Sequence, residues 1–532
     1  MAKTLGIMLD CSRNAVMRPE KVKEFAALIQ SMGYNMLQLY TEETYEVENE
    51  PFFGYMRGRY SMEEIRDIDA YCRSIGVELI PCIQTLAHLG HLNRWNDYSE
   101  HFDCMDILLV GDPRVYELID NMFATLAKTY TSRRLHIGMD EAMFLGLGRY
   151  KAKNGYRGSG EILREHLAKV AEIAAKYGFK PMMWSDMFIR VDHDGEYYVK
   201  ECKLSQAVID SVPASVEPVY WDYYSTEKEH YDIQFDMHAK FNSPTVFAGG
   251  IWTWTGYAPN LRYSLDATEA AMKSAAERDI DTVFFTEWGD DGADCSRFTT
   301  MAAMFAAAQM ANGNFDRADI AAKFEAQVGY SFEEFMNLEL PNLPQTDLTA
   351  SHYHDPCKYL LFNDPFLGLF DFSVGEGFAA FYADAAKKLA ASVNGRAYDY
   401  LFDFEQKLCE ALAVKCDLGI RIRKAYDSGD KAAIQAVAGE IDAVSAAVRA
   451  AYESFRTLWL KENKGHGLEV QEMRFGQLLL RLESCQRRLL QVANGEIDRI
   501  DELEEKPLVM HEGFEGKSLV FNSYLASMSA CY

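Results

Sequence analysis

Short apolar runs alternate with longer amphipathic stretches through the first 310 or so residues of the chain. The runs are "LGIMLD" (5–10), "NMLQLY" (35–40), "VELIPCIQ" (77–84), "LHIGMD" (135–140), "KPMMWSD" (180–186), "EPVYWDYY" (217–224), "TVFAGGIWTW" (245–254) and "TVFFTEWGDD" (282–291). Between them, "EKVKEFAALIQSMG" (20–33), "MEEIRDIDAYCRSIG" (62–76), "RVYELIDNMFATLAKTY" (114–130) and "HLAKVAEIAAKYG" (166–178) carry helical periodicity, several closing on the Gly expected just past a helix end. Eight near-continuous apolar strands, each followed by a helix, predict a parallel (β/α)8 barrel, because strands covered on both faces need no polar alternation.

The pattern changes after about residue 330. A stretch rich in Pro, Asn and Asp, "FEEFMNLELPNLPQTDLTASHYHDPCKY", leads into long segments of Ala, Glu, Leu and Arg such as "SGDKAAIQAVAGEIDAVSAAVRAAYESFRTLWLKE". These predict an all-α C-terminal domain over 331–532, following the (β/α)8 barrel over 1–330. The stretch "WLKENKGHGLEV" reads as a Gly-containing loop that places Trp459, Asn463, Lys464 and His466 between two helices, either as a solvated connector or within reach of a site rim.

Composition narrows the class of partner. The 532 residues hold 80 Asp+Glu against 54 Lys+Arg, a net charge of -26 that repels phosphate backbones and anionic headgroups, so neither nucleic acid nor membrane is the expected partner. No signal-peptide pattern opens the chain and no run reaches the roughly 18 apolar residues of a membrane span, which leads to the expectation of a cytoplasmic protein. Eleven cysteines without CxxC spacing fit reduced thiols.

Active sites of such barrels lie at the C-terminal strand ends. There the sequence puts Asp10 with Arg13, Glu42 and Glu43, Gln84 with His88, Asp140 with Glu141, Trp184 with Asp186, Trp221 to Tyr224, Trp252 with Trp254, and Trp288 with Asp290. Five of the seven tryptophans fall on this rim, a mixture of indoles, carboxylates and Arg suited to carbohydrate. Each has a plainer alternative: core packing for a Trp, a salt bridge to Asp10 for Arg13, a satisfied core histidine for His88. "HLGH" (88–91) lacks a third ligand, so no metal is expected there, and no cofactor elsewhere. For the pair Asp140–Glu141 the plainer alternative is a helix start, but the pair comes just after Gly138 at a strand end, where neighbouring side chains point opposite ways and take different roles.

"HIGMDEAMF" (136–144) resembles the H-x-G-x-D-E signature of glycoside hydrolase family 20, the β-N-acetylhexosaminidases, and "GIMLDCSR", "LIPCIQTLAH", "MMWSD", "VYW" and "TEWGDD" resemble further barrel segments of that family in order. The resemblance implies an exo-acting retaining enzyme, without cofactor or metal, that releases terminal GlcNAc or GalNAc by substrate-assisted catalysis. It implies Glu141 as general acid and base, with Asp140 orienting the acetamido group. Arg13 would bind the 3- and 4-hydroxyls, Asp290 the 4- and 6-hydroxyls, and Trp184, Trp221 and Trp288 the acetamido methyl and sugar face. His88 would stand behind the catalytic pair, with Trp252 and Trp254 also on the substrate side.

Two departures stand out. The seventh strand reads "WTWTGY" where the family has Y-x-D, which passes the acetamido oxygen to Tyr223, and the barrel begins at residue 5 without the usual N-terminal α/β domain. The barrel's outer helices then need another cover, which the Ala- and Leu-rich faces of residues 430–495 can supply, and this helical domain is expected to support a homodimer. Two other readings remain: a retaining β-glycosidase with Glu287 or Asp290 as nucleophile, and a sugar-binding barrel without catalysis.

Overall fold

The computed structural model describes residues 2–201, 203–345, 354–519 and 521; part of the Pro- and Asn-rich link, 346–353, lies outside them. Eight parallel strands form the barrel: β1 Thr4–Asp10, β2 Met36–Tyr40, β3 Glu78–Cys82, β4 Arg134–His136, β5 Lys180–Trp184, β6 Glu217–Trp221, β7 Val246–Gly250 and β8 Thr282–Glu287. They close in the order β1-β8-β7-β6-β5-β4-β3-β2, so every apolar run read from the sequence contributes one stave. The register sets Asp10 opposite Tyr40 and Tyr40 opposite Cys82, which brings the last residues of β1, β2 and β3 to one level.

Local chemistry explains the helices between them. Pro19–Ser31 starts with Pro at its first position and buries Val22, Phe25, Ala26 and Ile29. Met62–Ser74 opens with a reciprocal cap in which the Ser61 hydroxyl accepts from the Glu64 amide at 3.1 Å and the Glu64 carboxylate from the Ser61 amide at 2.8 Å. β4 is shorter than the run "LHIGMD", since regular pairing stops at His136. The β3–β4 connection holds a small antiparallel hairpin, Phe102–Cys104 with Ile107–Leu108, that the apolar pattern does not announce.

The chain divides into two compact units. The first comprises Met1–Ile251, Ser264–Trp288 and Ala303–Ile320, and contains the barrel strands. The second comprises Trp252–Tyr263, Gly289–Ala302 and Ala321–Tyr532. Within it, the long helices Lys431–Glu462 and Leu468–Asn494 pack with Phe378–Ala390 and Asp399–Lys415. Tyr257 is caged by the rings of Phe362, Phe404, Phe455 and Phe475, and its hydroxyl donates to Gln471 at 2.7 Å. Trp459 is not a loop residue, contrary to the reading of "WLKENKGHGLEV": it is buried in the last turn of Lys431–Glu462, where its indole N–H donates to the Lys464 carbonyl at 3.0 Å. Among the described residues no helix is long and apolar enough to cross a membrane.

Candidate active site

Beyond β4 the backbone leaves the strand and takes left-handed conformations at Gly138 (φ 71°), Met139 (φ 73°) and Glu141 (φ 51°). A non-glycine residue held there costs about 1–3 kcal/mol, so neighbours must enforce the bend. Three hydrogen bonds do so. The Gly138 amide donates to His136 Nδ1 at 3.1 Å, the Met139 amide to Gln84 Oε1 at 3.1 Å and the Glu141 amide to Asp186 Oδ2 at 3.1 Å. Asp140 and Glu141 therefore do not open a helix. Their side chains part because of this left-handed bend and not through strand alternation.

Only glycine fits at 138. A Cβ there would stand 2.1 Å from Gln84 Oε1 and 2.8 Å from the Ile83 carbonyl oxygen. Gly138→Ala is accordingly expected to lower stability by about 2 kcal/mol or more, read as a fall in the unfolding midpoint. An unchanged midpoint would contradict this account of the bend.

The two carboxylates face different surroundings. Asp140 is buried, accepting from Gln84 Nε2 at 2.8 Å on Oδ1, with His88 Nε2 3.2 Å from Oδ2. Burial alone would protonate Asp140, but His88 and Gln84 outweigh it and hold its carboxyl below the usual range. Burial likewise works against charge on His88, yet Asp140 and, more weakly, Glu42 lift it to about 10. The Glu141 side chain is 50% exposed, with Oε2 3.8 Å from His88 Nε2. One carboxylate is fixed and ionised inside the barrel mouth; its neighbour looks outward.

A polar chain continues from Asp140. Gln84 Nε2 also donates to the Tyr40 hydroxyl at 3.0 Å, Tyr40 donates to Glu42 Oε1 at 2.9 Å, and Arg13 Nη2 pairs with that same oxygen at 3.1 Å. Arg13 thus pairs with Glu42, and Asp10 accepts from the amide and hydroxyl of Ser12, both at 2.8 Å. Burial pushes Glu42 up to about 7 against the pull of Arg13. Arg57 grips both neighbours of Arg13, donating to the Ser12 carbonyl at 2.6 Å and to Asn14 Oδ1 at 3.0 Å, while its Nε reaches Glu43 at 2.8 Å.

Aromatic rings flank this chain. Trp184 and Trp288 have ring centroids 6.0 Å apart, Tyr40 meets Trp288 edge-on at 4.8 Å, and His136 lies 4.3 Å from Trp184. Burial lowers the His136 imidazole to about 3, so it is neutral. Trp221 stacks on Tyr223 at 5.4 Å and packs against Tyr197 at 4.7 Å. Burial keeps the Tyr223 phenol neutral, and its hydroxyl is hydrogen-bonded to Trp288 and Thr286. The indole nitrogens of Trp184 and Trp221 are buried without a hydrogen-bond partner among the described residues.

The first unit thus gathers Arg13, His88, Asp140, Glu141, Trp184, Trp221, Tyr223 and Trp288. Trp252, Trp254 and Asp290 belong to the second, where the two indoles are buried and stacked at 4.2 Å. Sequence reasoning passed over Tyr40 and Arg57. Tyr40 carries a signal, as the polar-tipped last residue of β2; Arg57, in the loop beyond it, carries none.

Among the described residues, His88, Asp140 and Glu141 form the one trio able to bring three metal-type ligand atoms within 4.8 Å of one another. Within the trio, His88 Nε2 and Asp140 Oδ2 already pair with each other at 3.2 Å.

Residues 5–243 match the family model described as "Glycosyl hydrolase family 20, catalytic domain", and residues 333–521 match "Glycoside Hydrolase 20C C-terminal domain". Hexosaminidase D of Homo sapiens is 26% identical over 234 residues, which span 42% of this chain and 44% of that protein. The Beta-hexosaminidase of Akkermansia muciniphila is 21% identical over 322 residues, 49% of this chain and 64% of that one. The chain thus spans less than half the length of the human relative. A solved structure, the GH20 Exo beta-N-Acetylglucosaminidase of Vibrio harveyi in complex with N-acetylglucosamine, aligns with a TM-score of 0.47 at 16% identity, covering 64% of this chain and 58% of that one.

Proposed function

This chain belongs to glycoside hydrolase family 20, and from that premise we propose that it is an exo-acting, retaining β-N-acetylhexosaminidase that releases terminal non-reducing GlcNAc or GalNAc by substrate-assisted catalysis. The observation that carries the reading is the division of labour between adjacent carboxylates, Asp140 ionised and held by Gln84 and His88, Glu141 open to solvent.

In this mechanism Glu141 gives its proton to the glycosidic oxygen as the carbonyl oxygen of the 2-acetamido group attacks the anomeric carbon. The C1–O bond breaks, the alcohol leaves, and an oxazolinium forms. Asp140 accepts the acetamido N–H and stabilises the positive charge developing on that group; a fixed acceptor of this kind acts most strongly on the transition state. Water then adds to the anomeric carbon and gives its proton to Glu141, which reopens the oxazolinium with retention. Tyr223 holds the acetamido oxygen, Trp184, Trp221 and Trp288 enclose the acetamido methyl and sugar face, and Arg13 takes the 3- and 4-hydroxyls. Support for Arg13 comes from the grip of Arg57 on both its neighbours, which limits the positions its guanidinium samples. The reading includes a cytoplasmic homodimer; light scattering of the purified chain tests the dimer.

The deciding experiment compares an aryl 2-acetamido-2-deoxy-β-glucoside with its 2-hydroxy analogue. A built-in nucleophile should favour the first by about 1,000-fold or more in kcat/KM. Comparable rates would indicate an enzyme nucleophile instead, with Glu287 the barrel carboxylate to replace.

A further inference from the structure

The helix Asp186–Asp192 starts two residues after Trp184, at the end of β5. Its first residue, Asp186, is fully buried, and Oδ2 accepts the Glu141 amide at 3.1 Å. One turn on, Arg190 Nε donates to the same oxygen at 3.4 Å while Nη1 donates to the Gly195 carbonyl at 2.8 Å, so the guanidinium is held at two points. Burial and the charge of Asp140 push the Asp186 carboxyl up to about 7, with the Glu141 amide and Arg190 pulling against them. Its other oxygen, Oδ1, is buried without a hydrogen-bond partner among the described residues. Such a carboxylate is a costly way to start a helix. What it contributes is the bond to the backbone of Glu141.

The same guanidinium lies over the ring of Tyr197, 5.6 Å from its centroid. The Tyr197 hydroxyl donates to the Trp221 carbonyl at 3.1 Å and accepts the Trp221 amide at 3.2 Å. One phenol thus clamps the backbone of the residue whose indole it packs against. Two lines of contact therefore leave Arg190, one through Asp186 to Glu141 and one through Tyr197 to Trp221. We infer that Arg190 is a positioning residue for both halves of the reaction: through Asp186 it fixes the backbone from which Glu141 reaches the glycosidic oxygen, and through Tyr197 the strand end that carries Trp221 in the acetamido pocket. The inference rests on the hydrolase reading of the same site. Arg190 acts through its neighbours, and a displacement of about 1 Å in either group is enough to cost about 100-fold in rate.

The test uses the full chain and two readouts that a merely structural role would not separate. The ratio of kcat/KM on methyl to that on 2,4-dinitrophenyl N-acetylglucosaminide reports proton donation, because only the first leaving group needs the proton. The affinity for N-acetylglucosamine-thiazoline, an analogue of the oxazolinium, reports the acetamido pocket. Asp186→Ala is expected to lower the ratio by about 30-fold or more and to hold thiazoline affinity within about threefold. Tyr197→Phe is expected to weaken thiazoline by about tenfold and to hold the ratio within about threefold. Arg190→Ala should move both readouts in these directions by about tenfold each. The Arg190 side chain is 20% exposed, so its removal opens no sealed core and decides the matter even where Asp186→Ala fails to fold. An Arg190→Ala enzyme that leaves either readout at the wild-type value, an Asp186→Ala enzyme that loses equally on both substrates, or a Tyr197→Phe enzyme with unchanged thiazoline affinity overturns the inference. Failure of the wild type to turn over either substrate would overturn the hydrolase reading itself.

Discussion

Glu141→Gln is expected to lower kcat/KM on methyl N-acetylglucosaminide by about 10³- to 10⁴-fold, and on the 2,4-dinitrophenyl glycoside by about tenfold or less. The difference arises because methoxide cannot leave without a proton, whereas dinitrophenolate can. The amide keeps the size of the carboxylic acid and removes its transferable proton. Since Glu141 is half exposed and its amide is the part bonded to Asp186, the side-chain exchange leaves the bend after β4 intact. Stopped assays on both substrates decide the matter. Equal losses would remove Glu141 from the acid role and point to a change in the pocket as a whole.

A chain ending after residue 335 is expected to be insoluble or inactive. Residues 252–263 and 289–302 fold with the helices of the second unit and would lose their partners there. Tyr257 would lose all four rings of its cage. The amides of Leu261 and Arg262 would lose Glu339, which accepts them at 2.7 and 2.9 Å. Asp294, 3% exposed, would lose Lys358 at 2.8 Å and Arg474 at 3.1 Å. A buried carboxylate stripped of its cations costs about 3–5 kcal/mol, already a large part of a domain's stability. A soluble, monomeric and fully active 1–335 fragment, seen by gel filtration and assay, would refute the expectation.

The barrel was legible because strands buried on both faces write themselves as unbroken apolar runs, and all eight runs became staves. Legibility fell where backbone geometry took over from pattern. "LHIGMD" reads as strand to its end, yet Gly138, Met139 and Glu141 turn left-handed, driven by bonds to Gln84 and Asp186, which are remote in sequence. The pairing of Arg13 with Glu42 is hidden for the same reason, since the two are distant in the chain and near only across neighbouring strands. Arg57 has no periodic signature, since its value lies in three acceptors on two loops. Trp459 looked like a loop residue because of the glycines after it, although the helix runs on to Glu462 before they act.

The Gln84 carboxamide has a fixed sense. Its oxygen accepts the Met139 amide and its nitrogen donates to Asp140 and Tyr40, so turning the group over would set nitrogen against N–H and oxygen against carboxylate. Tyr40 spends its own hydrogen on Glu42, which leaves a one-way line of dipoles ending at Asp140. Such a line does not swing when charge appears on a bound sugar, as water would. The work of aligning it is done once, when the chain folds, and each turnover meets a field already pointing the right way.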